Sequence, residues 1–508
     1  MRYALQLLVL AAALGIGSAS SSDVPSETSI ASSVGVTDVA VGAACACKKL
    51  STTQSNQVTF PGTANYSQEV TRYWDVRASL SPACILMPKT ADQVASAVKI
   101  FVQCDAQFAI RGGGHMNHPG SNNIDGGVLL AFNHMTHYKI NKETIEVQPG
   151  LTWYDVYSAL DPYGRTAIGG RLKTIGVPGL TLIGGVSYYI NKYGFAMDNV
   201  ASYDIVLGNG TLTTANPKNN PDLFWALKGG ANNFGIVTKF TLKTYYMPKI
   251  STTIQVFNES STPAFSRAIC DWAVGNSDSP VAAGSVITTT YNTTTHEISS
   301  SLMGVQAGVS NPPSEFRNFT AIPGVAKIHS VTSGKKWASN LDTPNQMFRV
   351  MFSHHSMIPD ADVFTTMIET WKNAVKNIAD VQGLYPTFVA NISPASAARV
   401  AKTNGIGNVW GLEDEALIWW QLSTGWDLAQ DDLRVEAWAR QLTENLHRLN
   451  KQNGLARDFV YMGDAGEWQD PYAGFDQANV ERMREIRDAY DPKGTFSRLN
   501  WGGFKLGY

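Results

Sequence analysis

The sequence predicts an α+β protein built in two parts. Three observations carry that expectation. A capped amphipathic helix lies between two short apolar strands over residues 85–110, and the second strand runs directly into three glycines. An Asn-Gly turn at 209–210 separates two β-rich runs, which is a strong hairpin signal. Near residue 250 the character changes to β-rich runs alternating with long helical stretches.

The N-terminus reads as a processing signal. Arg2 precedes an apolar run over 4–16, and Gly17, Ser18 and Ala19 offer a cleavage site, so 1–19 is expected to be a signal peptide. The run is too short to span a bilayer. Residues 20–44, rich in Ser, Thr, Val and Ala without a clear period, are expected to form a flexible leader. Five cysteines fit an oxidising compartment and leave at least one unpaired. Cys45, Cys47, Cys84 and Cys104 cluster and Cys270 stands alone; sequence leaves three pairings open for the four. The Cys-x-Cys at 45–47 has no histidine near it, and no metal site is expected.

Thr90, Ala91, Asp92 and Gln93 read as a capping box, and Val94, Val98 and Phe101 recur at helical spacing. With strands at 85–87 and 108–110, the segment reads as a βαβ unit. The second strand ends in Arg111, Gly112, Gly113, Gly114 and His115. Such glycines let backbone N–H groups approach an anionic ligand. The loop has no Lys-Ser/Thr pair, and the chain has no G-x-G-x-x-G fingerprint. Thr152 and Asp155 cap a helix running to Leu160. A second glycine loop then extends from Gly169 and Gly170 through Gly176, Val177, Pro178, Gly179 and Leu180 to Gly184 and Gly185. After the hairpin, Asn220 as N-cap and Pro221 at the first helical position start a short helix. A third glycine-containing stretch, 229–238, holds Gly235 and Val237.

Beyond 250, strands are expected over 252–257, 282–291 and 417–422, and a helix over 363–378. Val435, Trp438, Leu442, Leu446 and Leu449 mark a long amphipathic helix. Trp410, Trp419, Trp420 and Trp426 make an aromatic-rich strand, in which alternation lets only some face a pocket. The His115/His118 and His134/His137 pairs lack the helical H-E-x-x-H context of a zinc site. The net charge is −2, charged residues are 16% of the chain and there is no long basic run, so nucleic acid is excluded as a partner. Asn-x-Ser/Thr sequons begin at Asn65, Asn209, Asn258, Asn292, Asn318 and Asn391, and beside a signal peptide they suggest a glycosylated, exported chain.

Taken in order, the three glycine stretches, 193–200, and the C-terminal Tyr490-Asp491-Pro492 through Phe496 to 502–506 resemble the berberine-bridge-enzyme-like branch of the vanillyl-alcohol-oxidase-like flavoproteins, in particular its fungal secreted members. The resemblance implies a PCMH-type FAD-binding domain over 45–250, an antiparallel-sheet substrate domain with helices on one face over 251–459, and a return to the FAD-binding domain over 460–508. It implies FAD attached covalently through His115. Arg111, Gly112, Gly113 and Gly114 would approach the pyrophosphate, Gly176, Gly179, Gly184 and Gly185 the ring, and Gly235 and Val237 the ring or adenosine end.

Departures from the family pattern limit this. Leu172 stands where many members have a second, cysteinyl link, so a single bond is expected, and Leu180 replaces a common histidine. The family's Tyr-x-Asn-Tyr segment aligns with Tyr461-Met462-Gly463-Asp464, which offers Asp464 and Tyr461 as candidate bases against a turn aspartate and a core tyrosine. His118 is a candidate for the flavin edge. The resemblance also implies the bridge Cys47–Cys104. The expected function is a secreted FAD-linked oxidase, in which hydride from an alcohol- or phenol-type small molecule goes to flavin N5. O2 is the expected acceptor, and the setting is secondary-metabolite biosynthesis. The alternatives are a carbohydrate oxidase and a flavin-containing cyclase or scaffold.

Overall fold

The computed structural model describes residues 36–341 and 348–507. The signal segment and most of the leader lie outside them. From Val36 the chain is helical to Thr53, so the end of the expected flexible leader is ordered. Two disulfides account for this, Cys45–Cys104 and Cys47–Cys84, joining the helix to the first sheet and its crossover helix. Gly42 adds a backbone approach, since a Cβ there would lie 2.7 Å from the Asp105 carbonyl oxygen. The expected Cys47–Cys104 bridge is therefore corrected: the offset of about half a helical turn from Cys45 to Cys47 puts Cys45 beside the helix end and Cys47 over the strand. Cys270 is buried and free.

The first sheet has four strands, β1 (Val58–Thr59), β2 (Cys84–Leu86), β3 (Phe108–Arg111) and β4 (Val128–Ala131), in the order β1-β2-β4-β3. The helix between β2 and β3, Ala91–Cys104, starts at Thr90, whose side chain accepts from the Gln93 N–H. Gln93 returns its own bond to the Lys89 N–H, one residue before the cap. β2 and β3 do not pair with each other; both run parallel to β4, which inserts between them. The local pattern fixes the crossover, but strand order is decided by a strand that comes later in sequence.

The second sheet contains β5 (Tyr138–Ile140), β6 (Thr144–Val147), β7 (Arg165–Ala167), β8 (Val200–Val206), β9 (Leu212–Ala215) and β10 (Ile236–Tyr246). β8 and β9 form the expected hairpin, and Gly210 supplies a left-handed φ of +77° in its turn. Thr152 and Asp155 form a reciprocal cap on the helix Trp153–Leu160. Asn220 differs from expectation. It sits at φ +50° and bonds Thr213 and Thr214 through its side chain, so it pins the helix Pro221–Ala226 to the hairpin rather than capping it.

The third sheet is antiparallel and has eight strands: β11 (Ile250–Asn258), β12 (Ala283–Tyr291), β13 (Ile298–Ala307), β14 (Ala326–Thr332), β15 (Arg349–Met357), β16 (Tyr385–Ser393), β17 (Leu417–Trp426) and β18 (Ala456–Arg457). Three helices, Thr262–Gly275, Ala361–Val375 and Asp432–Gln452, bury their apolar stripes on one of its faces. The pleat of β17 divides its tryptophans between two cores. Trp420 and Trp426 join the helices, whereas Trp419 points the other way into the core shared with the second glycine loop. Trp410 is not in the strand but packs edge-on against Trp419. The segment after 458 returns to the first two sheets, where the Trp501 N–H donates to the Phe108 carbonyl at 2.7 Å. Among the described residues, no helix is long and apolar enough to cross a membrane.

Candidate functional site

Two glycine loops meet through their backbones. A Cβ at Gly113 would lie 2.4 Å from the Gly176 nitrogen, and one at Gly176 would lie 2.5 Å from the Gly113 nitrogen, so neither position accepts a side chain. Gly112 rests on the Pro178 ring in the same way. Gly113 and Gly179 nevertheless stay exposed, and a Cβ at Gly179 would meet nothing within 4 Å. In the segment that continues the first loop, Asn117 Nδ2 and Asn122 Oδ1 are buried without a hydrogen-bond partner. Exposed main-chain glycines beside orphaned buried amide atoms suit a large polar ligand with an anionic part, because each orphan otherwise costs about 1–3 kcal/mol. The arrangement fits FAD.

Arg111 requires a correction. Its side chain turns away from the loop into a buried ion pair with Glu69, also bonding Asn133 at 3.0 Å and lying over the Tyr73 ring. Only its main chain remains for a ligand. Gly235 and Val237 enter β10 inside the second sheet, where Val237 pairs with Ile205. Gly184 lets the Trp410 ring approach, since a Cβ there would lie 2.0 Å from it. Leu172 packs with the cluster around Tyr188 and Tyr189, and Leu180 lies over Gly170 and Gly185.

His115 closes the first loop. Its Nε2 lies 2.6 Å from the Thr174 hydroxyl of the second loop, and its ring stacks on Trp74 with centroids 5.5 Å apart. Trp74 in turn packs on Phe352 of β15, so the third sheet covers the loop. Burial lowers the imidazole to about 4, which leaves it neutral at physiological pH with a lone pair available for a bond to carbon. His118 instead bonds the Ala465 carbonyl at 2.7 Å and packs edge-on against Phe504, tying the first loop to the C-terminal segment.

The structure brings Tyr461 and Asp464 to the second loop. The Tyr461 ring stacks on Trp419 at 5.5 Å, and its N–H donates to His354 Nε2. Burial, reinforced by the Asp464 charge, raises the phenol well above its ordinary value, against the opposing pull of Arg171 and the N–H groups of Gly185 and Val186. Asp464 is half-buried, and Asn391 Nδ2 donates to its Oδ2 at 2.8 Å. Desolvation raises its carboxyl to about 6, with the Arg171 charge and the Asn391 bond pulling the other way. Asp464 is thus ionised at neutral pH but close enough to neutrality to accept a proton, whereas Tyr461 stays protonated.

Sequence reasoning missed four neighbours: Trp74, Arg171, Thr174 and Asn391. Arg171 and Thr174 lie inside the second loop, but an arginine or threonine beside glycines carries no signal of its own. Asn391 stands in a sequon, a surface signal that hides its role. It is buried in β16 with both ends of its amide bonded, so it is corrected from a surface acceptor to an interior residue. The other five sequon asparagines are exposed.

A model of an FAD-binding domain matches residues 82–216, which hold both glycine loops and the hairpin. An FAD-dependent monooxygenase of Penicillium roqueforti is 31% identical over 91% of this chain and 93% of its own length. Among solved structures, 6-hydroxy-D-nicotine oxidase from Arthrobacter nicotinovorans has a TM-score of 0.73 at 18% identity, covering 87% of this chain and 96% of that one. Glucooligosaccharide oxidase from Acremonium strictum, which carries a 6-S-cysteinyl, 8α-N1-histidyl FAD, has a TM-score of 0.71 at 18% identity, covering 90% and 98%. The chain belongs to the FAD-dependent oxidoreductases that hold this Penicillium relative, and its cofactor is FAD.

Proposed function

We propose that this oxidoreductase removes hydride and a proton from an alcohol- or phenol-type small molecule, with Asp464 receiving the proton and O2 as final acceptor. The observation that carries this reading is the Asp464 carboxyl, raised to about 6 and held by Asn391 on the side of the third sheet that faces the glycine loops. FAD, when bound, supplies a two-electron acceptor. The chain's own residues do the rest. Gly113, Gly176 and Gly179 offer main-chain atoms to the cofactor, and Gly112, Gly114, Gly184 and Gly185 allow the close packing that shapes its bed. Neutral His115 is the attachment residue. Tyr461, stacked on the buried Trp419 and held protonated by burial, packs beside Asp464 without competing for the proton.

Secondary-metabolite chemistry is the favoured setting, as the resemblance of the glycine stretches to the fungal members of the berberine-bridge-enzyme-like branch implies. The apolar N-terminal run, the two disulfides and the exposed sequons support export. On this reading 45–250 and 460–508 serve FAD and 251–459 serves the substrate. A carbohydrate oxidase is the second reading; the fold of the glucooligosaccharide oxidase supports it, and Leu172 in place of a cysteinyl link weighs against it.

The test is a visible spectrum before and after acid precipitation, followed by peroxide detection with panels of alcohols, phenols and oligosaccharides. Flavin colour in the pellet and peroxide with phenols or alcohols are expected. Peroxide with oligosaccharides alone would move the carbohydrate reading forward. Flavin without peroxide in any panel would favour a cyclase or scaffold.

A further inference from the structure

We propose that Asn391 and Arg171 are positioning residues that set the orientation and proton affinity of Asp464, a role resting on the reading of Asp464 as the base. The donor inventory fixes the direction of the array. A guanidinium only donates, so the Asn391 oxygen, 2.8 Å from Arg171 Nη2, must be the acceptor there. The amide nitrogen is then committed to Asp464 Oδ2, at 2.8 Å. That bond occupies one side of Oδ2, and Oδ1, which has no hydrogen-bond partner among the described residues, is the freer oxygen for the proton.

Neither member is free to move. Asn391 is 2% exposed within β16, directly opposite Trp419 of β17. Arg171 is anchored by Nη1 on the Ser285 carbonyl of β12 at 2.8 Å. The array therefore spans three segments: the second glycine loop, the third sheet and the return segment bearing Asp464. Among the described residues Arg171 makes no direct ion pair with a carboxylate; its bonds go to an amide and a carbonyl oxygen. Its charge reaches Asp464 across the Asn391 amide and favours the ionised form. The titratable and charged groups facing Asp464 are Arg171 from the loop and Tyr461 from its own segment, and Tyr461 is neutral. Among the described residues, Arg171 is thus the only formal charge facing Asp464, and Asn391 the only side chain bonded to its carboxyl.

The experiment is pH-difference infrared spectroscopy on the flavin-loaded protein. It follows the protonated-carboxyl stretch that disappears in Asp464→Asn. The parent midpoint is expected near 6. Asn391→Leu and Arg171→Met each remove a contribution favouring the carboxylate, and the midpoint is expected to rise by about one pH unit in each. Arg171→Lys, which keeps the charge, is expected to restore part of the shift. Arg171 lies on a half-buried loop, so its variants keep the test open if Asn391→Leu fails to fold. An unmoved midpoint in Arg171→Met would overturn the proposal, because a merely structural role would change the amount of folded protein and not the midpoint. Turnover surviving in Asp464→Asn would instead overturn the base assignment, and the two failures are read on different instruments.

Discussion

His115 Nε2 lies 2.6 Å from the Thr174 hydroxyl, joining two glycine loops across 59 residues of sequence. The contact orients the imidazole from the opposite loop while Trp74 covers its face. His115→Ala is expected to abolish acid-stable flavin while leaving the fold able to bind FAD without a covalent bond. In Thr174→Ala the ring loses one hydrogen bond worth about 1 kcal/mol, so attachment should slow roughly fivefold. Thr174→Ser should recover it. Absorbance of the acid-precipitated pellet against reconstitution time reads all three, and acid-stable flavin in His115→Ala would show that another residue carries the bond.

Asp464→Asn keeps the shape and the contact with Asn391 but removes the proton acceptor. Loss of a general base costs about 10²–10⁴-fold. The expected result is a fall of that size in kcat with flavin content unchanged and little change in KM. Tyr461→Phe should cost far less, because its phenol stays protonated and so cannot take the proton. A larger loss in Tyr461→Phe than in Asp464→Asn would reverse the two roles.

The bridges Cys45–Cys104 and Cys47–Cys84 close loops of sequence separation 59 and 37. Chain-entropy arguments give each about 4 kcal/mol when considered alone, and less when both are present because the loops overlap. Cys84→Ser is expected to lower the denaturant midpoint clearly, whereas Cys270→Ser, at a buried free thiol, should act only through packing. Peptide mapping without reduction checks the pairing directly; a Cys47–Cys104 peptide would contradict it.

Legibility followed locality. The helix caps at Thr90 and Thr152 and the hairpin at Gly210 are written in neighbouring residues and were readable. The insertion of β4 between β2 and β3 was not, because nothing within 85–110 encodes a strand at 128. The same limit applies to the site. Glycines and His115 are conspicuous in the chain, but Asn391 and Asp464 are 73 residues apart and meet only through the third sheet. Cys45 and Cys47 differ by about half a helical turn, a distinction between partners that spacing alone could not make.

Burial separates the sequons. Asn65, Asn209, Asn258, Asn292 and Asn318 are exposed, whereas the Asn391 amide is bonded at both ends inside the protein. After expression through a eukaryotic secretory pathway, glycopeptide mass spectrometry is expected to find occupancy only among the five. A glycan on Asn391 would require the strand to open and would break the contact with Asp464.

Acid should destabilise the protein through its buried histidines. Burial lowers His118 to about 4 and His354 to about 3, while their unfolded values lie near 6.5. A depressed folded value means that the unfolded chain binds the proton first. The stability is therefore present above about pH 6.5 and is lost as pH falls towards the folded values, at about 1.4 kcal/mol per pH unit for each histidine. Asp75 acts with the opposite sign: burial raises it to about 6 despite Arg77, so below that pH the folded state holds the extra proton. Denaturant midpoints of the holoenzyme between about pH 4 and about pH 6.5 should fall one proton less steeply in His354→Gln and one proton more steeply in Asp75→Asn. The slope is the informative quantity, because either substitution can also shift stability uniformly. Slopes equal to the parent's in both variants would mean that neither group changes protonation on unfolding in this range.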